Sequence, residues 1–227
     1  MVGLAAPCLQ HLHAEMDCRS TRGFFPIPHL CKFICDTEYQ FTSVRLEFSN
    51  SRLEFYAGKG SQSIGDESFQ ISICEPVSLE HMGQALSGPL STVEKLTITW
   101  SVDLGVTSDR FKPDQWRKFC YHVPQVKVVQ ISSVLAPQVA RSFQQDAQDH
   151  HVLDLLPALQ RVVMSLFVGR DAQYVSIYDA FDPFISTRQR VGRPITLLFT
   201  WEYLFGGLRD DTPPGNTPPP TVYSGRL

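Results

Sequence analysis

Apolar residues recur along this chain in one spacing, in which a second apolar residue follows the first by three positions and a third follows by two more. Val126, Val129 and Ile131 show the spacing. The same spacing occurs 33 residues earlier, as Val93/Leu96/Ile98, and 33 residues later, as Leu159/Val162/Met164. Two further copies lie near the N-terminus, as Leu9/Leu12/Ala14 and Leu30/Phe33/Cys35. A proline stands two residues upstream of four copies, as Pro7, Pro28, Pro124 and Pro157. The pattern is typical of degenerate leucine-rich repeats, in which each repeat adds one short strand to a stacked sheet.

Helical periodicity appears between these strands from residue 76 onward. Ser78 is a suitable N-cap for the first helix, and Gly88-Pro89 is expected to end it. The further predicted helices cover 114–122, 136–143, 152–156 and 173–189, the last broken near Pro183, and the strands cover 93–100, 125–131, 159–167 and 195–201. Alternating helices and strands predict an α/β fold, a degenerate leucine-rich-repeat-like solenoid with parallel strands and outer helices.

Two segments depart from this alternation. Residues 41–75 alternate apolar and polar positions in three runs, which predicts a β-rich insertion. Residues 209–227 contain five prolines between Thr212 and Pro220 and are predicted to be a disordered tail. We therefore expect one repeat domain over residues 1–208, with the insertion inside it.

Residues between the apolar positions of a strand point to the other face of the sheet. In the three evenly spaced copies these residues vary from charged to apolar. They are Glu94, Thr97, Lys127, Gln130, Gln160 and Val163. A mixed face of this kind on a repeat protein predicts a protein-binding surface.

Composition narrows the classes of partner and of compartment. The net charge of −3 over 227 residues disfavours nucleic acid as a partner. No apolar run approaches the roughly 18 residues of a membrane span, and the N-terminus lacks the pattern of a secretory signal, so we expect no membrane association. Six cysteines without an export signal favour reduced thiols and a cytoplasmic or nuclear location.

Candidate chemistry is sparse. His150-His151 beside Asp146 and Asp149, and Cys31 with Cys35, offer metal donors, but neither has a distant second pair, and we interpret both as structural. A glycine-rich stretch at 58–60 lacks the spacing of a phosphate-binding loop. We thus predict no catalytic residue, metal or cofactor. Trp116 is expected in the core, whereas Trp100 and Trp201 end strands, where an exposed rim position would make them binding candidates.

The segments Gly83–Ile98 and Leu153–Gln160, with Pro183–Ile185 and Arg188–Arg190, carry a resemblance to a known family. They resemble the leucine-rich-repeat-like region of F-box proteins from mushroom-forming fungi. The resemblance implies that the repeats select a substrate for a cullin ubiquitin ligase, and that an F-box of about 45 residues docks the ligase adaptor. No F-box-like segment is found, and the chain starts without a repeat cap, so an adaptor is an expected partner only if an F-box lies upstream.

Two other interpretations remain open. The chain could be a compact α/β enzyme whose periodicity is accidental, or a truncated gene product without function. A reversal of strand order beside a deep pocket would favour the enzyme. A sequential parallel sheet would favour the repeat protein.

Overall fold

A computed structural model describes residues 12–16, 40–49, 52–58, 67–73, 78–100, 112–148, 155–167, 173–202 and 222–223. Its strands form one sheet in the order β1-β4-β3-β2-β5-β6-β7-β8-β9. Their bounds are β1 Leu12–Met16, β2 Ser43–Phe48, β3 Leu53–Gly58, β4 Glu67–Ile73, β5 Lys95–Trp100, β6 Val128–Ser132, β7 Arg161–Phe167, β8 Thr196–Glu202 and β9 Val222–Tyr223. The predicted α/β class is confirmed: β2, β5, β6, β7 and β8 run parallel, and helices connect the last four.

The recurring apolar pattern corresponds to register in the sheet. Leu96, Val129, Val162 and Leu197 are successive partners across β5 to β8, and Ile98, Ile131, Met164 and Phe199 form the next row on the same face. All eight side chains are buried. Alternation with a period of two thus places one apolar face of every strand in the core, as the spacing predicts.

The segment predicted as a β-rich insertion contains β2, β3 and β4. The first of these is a further copy of the recurring pattern, because Val44 and Leu46 pair with Leu96 and Ile98 and Phe41 is buried like Val93. Strand β3 is antiparallel to both β2 and β4, so these three strands form a meander. Strand β1 then pairs in parallel with β4.

The described part of the chain contains five helices: α1 Leu79–Ala85, α2 Ser87–Leu90, α3 Pro113–Cys120, α4 Ala136–Gln148 and α5 Gln173–Arg190. The Ser78 hydroxyl accepts a hydrogen bond from the His81 amide, which confirms the predicted N-cap. Gly88-Pro89 does not terminate helical structure, because proline is tolerated in the first turn of the short α2. Residues 155 and 156 of the predicted helix over 152–156 form a bend, and the rest of it lies outside the described residues.

The predicted break at Pro183 is wrong, since α5 continues through it. Proline removes the hydrogen bond that residue 183 would donate to the carbonyl of Asp179. Both residues lie on the exposed side of the helix, where water can satisfy that carbonyl. Phe181 and Phe184 are fully buried on the opposite side and hold the helix on the core.

One hydrophobic cluster joins the helices to the apolar face of the sheet. The Trp116 ring on α3 meets the Phe48 ring on β2 edge to face, with centroids 5.4 Å apart. The Phe143 ring on α4 lies 4.7 Å from that of Phe184 on α5. Trp116 is therefore a core residue, as predicted. Trp100 is 6% exposed and so offers no exposed rim position.

Helices α1 and α3 approach closely at Gly83. A β-carbon at this position would come within 2.6 Å of Cδ2 of His122, which follows α3. Lys118 on α3 also forms an ion pair of 2.9 Å with Glu80 on α1. The absence of a side chain at Gly83 thus sets how near the two helices lie.

The turn before β7 is built around a buried arginine. The Arg188 guanidinium donates hydrogen bonds of 3.1–3.5 Å to the carbonyls of Leu155, Leu156, Pro157 and Leu159. Leu156 has a φ of 50°, a left-handed conformation that is costly for leucine. Burial lowers the pKa of Arg188, and the nearby charge of Arg193 adds to this effect. Carbonyl dipoles rather than a carboxylate therefore stabilise this buried cation among the described residues.

Several expectations fall on residues outside the described ranges. They include the apolar copy at Leu30–Cys35, His150-His151 and most of the 209–227 tail. Within that tail, Val222–Tyr223 forms β9, antiparallel to Leu197 and Leu198 of β8. Among the described residues no helix is both long enough and apolar enough to cross a membrane.

Candidate protein-binding face

The sheet has an open face, formed by the strand residues that alternate with the buried ones. Its central row joins Arg45, Thr97, Gln130, Val163 and Leu198, which are successive partners from β2 to β8. All five are partly exposed. With neighbouring strands about 4.8 Å apart, this row spans roughly 19 Å, which is enough to contact a peptide segment or a helix.

The other three residues predicted from the pattern occupy equivalent positions just before the strands. The carbonyl of Glu94 accepts hydrogen bonds from the amides of Lys127 and Val128, at 2.8 and 3.1 Å. The carbonyl of Lys127 accepts in the same way from Gln160 and Arg161, at 2.9 and 3.0 Å. The main chain thus repeats one arrangement at the interval of the apolar pattern and places Glu94, Lys127 and Gln160 side by side along the edge where the strands begin.

Glu94 and Lys127 contact each other directly across this edge. The Lys127 Nζ lies 2.7 Å from Glu94 Oε1, and both side chains are about half exposed. The pairing of carboxylate and ammonium one strand apart follows from their equivalent positions. Such an exposed pair contributes little to folding stability, so its charges remain available to a partner.

At the β2–β3 end the open face carries charged and aromatic groups. The Arg45 guanidinium lies 4.2 Å from the centroid of the Tyr56 ring, which is its register partner on β3. The Tyr56 hydroxyl donates to the carboxylate of Glu54, which also lies 3.7 Å from Arg52. Burial, followed by the hydrogen bond and negative charge of Glu54, raises the pKa of Tyr56. The tyrosine is therefore a hydrogen-bond donor, not an anion, at neutral pH.

Hydroxyl and amide side chains on the open face bond to neighbouring strands. Thr99 donates through its hydroxyl to the Leu46 carbonyl at 3.4 Å, and Thr200 donates to the Met164 carbonyl at 3.3 Å. Gln130 donates to the Ser165 hydroxyl at 3.2 Å. These bonds run between neighbouring strands, so they fix the side chains on the sheet surface and reduce the entropy that binding would cost.

In the central row the β7–β8 end is apolar, with Val163 and Leu198 adjacent. The central row therefore grades from the charged Arg45 through hydroxyl and amide groups to aliphatic ones. Alternation along the strands predicts Thr97, Gln130 and Val163. Arg45 and Leu198 extend the same row but were missed, because their strands do not follow the constant interval of the other three.

A cluster of buried polar side chains lies where β6 leads into α4. The hydroxyls of Ser132 and Ser133 and the side-chain amide of Gln138 are buried and make no hydrogen bond. No histidine, cysteine or carboxylate accompanies them in a set that could hold a metal, since the described residues contain no group of three such side chains. Hydroxyl and amide groups alone supply neither a general base nor an activated nucleophile.

Comparison of the chain with models of protein families, with curated proteins and with solved structures gives no match.

Proposed function

We propose that this protein is a non-enzymatic recognition module of the leucine-rich-repeat type, which binds another protein through the open face. The observation that carries the proposal is the contrast within each strand. Successive rows on the buried face are apolar in every parallel strand, whereas the central row of the open face changes from Arg45 to Leu198. A regular interior with a varied exterior is the arrangement by which repeat proteins present a binding surface.

The order of the strands supports recognition over catalysis. Strands β5, β6, β7 and β8 are neighbours in the order in which the chain makes them. Open α/β enzymes bind their ligands in the crevice where that order reverses. In the described part of the chain the order reverses at β2, where β4-β3-β2 gives way to β5-β6-β7-β8, but the reversed strands form an antiparallel meander around β3. Because the crevice of such enzymes lies between two halves of parallel strands joined by helices, the compact enzyme is the weaker candidate.

We further propose that the bound protein is a substrate of a cullin ubiquitin ligase. This step rests on the resemblance of residues 83–98 and 153–160 to the repeat region of fungal F-box proteins. Substrate choice there needs a surface and no catalytic group, which agrees with the chemistry of the open face. Contact with the ligase adaptor would require an F-box.

The test is a comparison of bound proteins between two variants of the tagged full-length chain. Thr97→Glu with Val163→Glu places two carboxylates on the open face. Gln84→Glu with Gln189→Glu places two carboxylates at exposed positions on the helices. Recovery by affinity purification, quantified by mass spectrometry, is expected to lose a defined set of proteins with the first variant and to retain them with the second.

Far-ultraviolet circular dichroism and thermal unfolding would establish that both variants fold. The recognition proposal is wrong if both folded variants recover the same proteins as the unsubstituted chain. Recovery of a cullin adaptor that survives both substitutions would support the ligase step, because the adaptor binds outside the repeats. If the unsubstituted chain recovers proteins that depend on the open face but no ligase subunit, only the ligase step would be contradicted.

A further inference from the structure

The edge where the parallel strands begin carries an excess of positive charge. Lys95, Val128 and Arg161 are successive partners across β5, β6 and β7, on the open face. Lys127 precedes Val128 at the same edge, so this edge carries three cations, two of which flank Val128 on the open face. Glu94 is the acidic residue that pairs with this group, through Lys127.

Two of the three cations have no acidic partner within the described part of the chain. Lys127 is held by Glu94 at 2.7 Å, but Lys95 and Arg161 form no ion pair there. Arg161 is exposed and Lys95 is partly exposed. With strands about 4.8 Å apart, their α-carbons are roughly 10 Å apart, a separation that two acidic residues of one extended segment can match.

Aliphatic surface lies next to these charges. Val128 is partly exposed between Lys95 and Arg161, and Val163 follows two residues after Arg161 on the same face. Leu198 pairs with Val163 on the next strand. A ligand that neutralises the cations can therefore bury apolar groups against Val128, Val163 and Leu198 at the same time.

We infer that the open face binds an acidic protein segment, whose carboxylates pair with Lys95 and Arg161 and whose apolar side chains pack on Val128 and Val163. This inference rests on the proposed recognition function and names the chemistry of the partner. Charge complementarity sets orientation and association rate, and apolar burial supplies affinity. A nucleic acid would also neutralise the cations, but its phosphate backbone has no apolar groups to cover the aliphatic strip. The overall charge of −3 opposes a long polyanion as well.

Selection of random dodecapeptides displayed on phage against the full chain tests the inference. Aspartate and glutamate should be enriched in the selected peptides, together with apolar residues at nearby positions. The binding of a selected peptide, measured by fluorescence polarisation, should weaken as sodium chloride rises from about 0.05 to 0.5 M, because exposed charges are then screened.

Charge reversal then localises the contact. Lys95→Glu with Arg161→Glu should weaken peptide binding by about tenfold or more. Arg141→Glu with Arg190→Glu makes the same change in net charge at exposed helix positions and should leave binding within about twofold of the unsubstituted chain. If the reversed variant does not fold, Lys95→Gln with Arg161→Gln takes its place, with a smaller loss expected.

Three outcomes would overturn the inference. They are selected peptides without acidic enrichment, acidic peptides that bind the reversed variant as tightly as the unsubstituted chain, and a single-stranded oligonucleotide that binds at 0.15 M salt through Lys95 and Arg161. Failure of the inference and failure of the recognition function are distinguishable. Proteins lost with Thr97→Glu and Val163→Glu but retained with the reversed variant would leave recognition standing and remove only the acidic partner.

Discussion

The two faces of the parallel strands follow different rules. On the buried face, equivalent positions hold residues of one kind, such as Leu46, Ile98, Ile131, Met164 and Phe199. The next residue along each strand lies on the open face, and there the type of side chain differs in nearly every strand. Packing at interior density constrains the first set. The second set is constrained only by strand propensity and by whatever binds there, so the open face can change without loss of the fold.

The largest loss of folding stability should come from substitution of Arg188, whose buried guanidinium holds the turn before β7. Arg188→Met leaves the carbonyls of Leu155, Leu156, Pro157 and Leu159 without their donor while it retains most of the side-chain volume. Loss of several charge-assisted hydrogen bonds in a buried site should lower the free energy of unfolding by about 3–5 kcal/mol. Urea denaturation measures the change.

Arg190→Met, two residues along α5, is the matched control, because Arg190 is exposed. It should change the free energy of unfolding by less than about 0.5 kcal/mol. Equal effects of the two substitutions would mean that the carbonyl contacts of Arg188 do not stabilise the turn.

Adjacent residues of β6 test the contrast between the faces directly. Ile131→Ala should cost about 2–4 kcal/mol, because it removes a buried side chain and leaves a cavity. Gln130→Ala should cost about 1 kcal/mol or less, since only the hydrogen bond to Ser165 is lost. Chemical denaturation of both variants gives the difference, and similar costs would show that the open face is also packed in the folded protein.

Substitution of Gly83 tests whether the contact between helices α1 and α3 is tightly packed. In an unhindered helix, Gly→Ala stabilises by about 1 kcal/mol. Here the added methyl group would meet His122 at 2.6 Å, so Gly83→Ala should instead destabilise by about 1–2 kcal/mol. Thermal unfolding of Gly83→Ala with and without His122→Ala forms a double-mutant cycle. An unchanged effect of Gly83→Ala after removal of the histidine ring would contradict the steric explanation.

The smallest effect is expected at the edge of the open face. A double-mutant cycle with Glu94→Gln and Lys127→Met should give a coupling energy below about 1 kcal/mol, because both side chains are about half exposed. The coupling should fall further at about 0.5 M sodium chloride, where exposed charges are screened. A coupling above about 2 kcal/mol that persists in high salt would place this pair in a buried environment, unlike the rest of the face.

The sequence predicts the buried face well because its rows repeat at a fixed interval. Val93, Val126 and Leu159 are evenly spaced along the chain, and each is buried at the start of its strand. Phe41 occupies the equivalent position before β2 but precedes Val93 by a longer stretch, because β3 and β4 intervene in the chain. A search for a fixed interval therefore misses it, although Phe41, Val44 and Leu46 have the same internal spacing.

The open face is predictable only in part. Alternation identifies Thr97, Gln130 and Val163, and the structure places them in one row. It does not identify which residues of other strands join that row, because pairing between Arg45 and Thr97 depends on register over a long connection. Neither does it reveal that Arg188 reaches the turn before β7, since nothing in the sequence of α5 distinguishes a buried arginine from an exposed one.

The β3–β4 hairpin bears on how such a chain can lengthen. It lies in the sheet between β2 and β1, yet β1, β4 and β2 point the same way, because two reversals of direction cancel. With a single strand inserted between them, β1 and β2 would run in opposite directions. Insertions in pairs of strands leave that polarity intact, so a hairpin can be added or removed here without a change in the direction of the strands on either side of it.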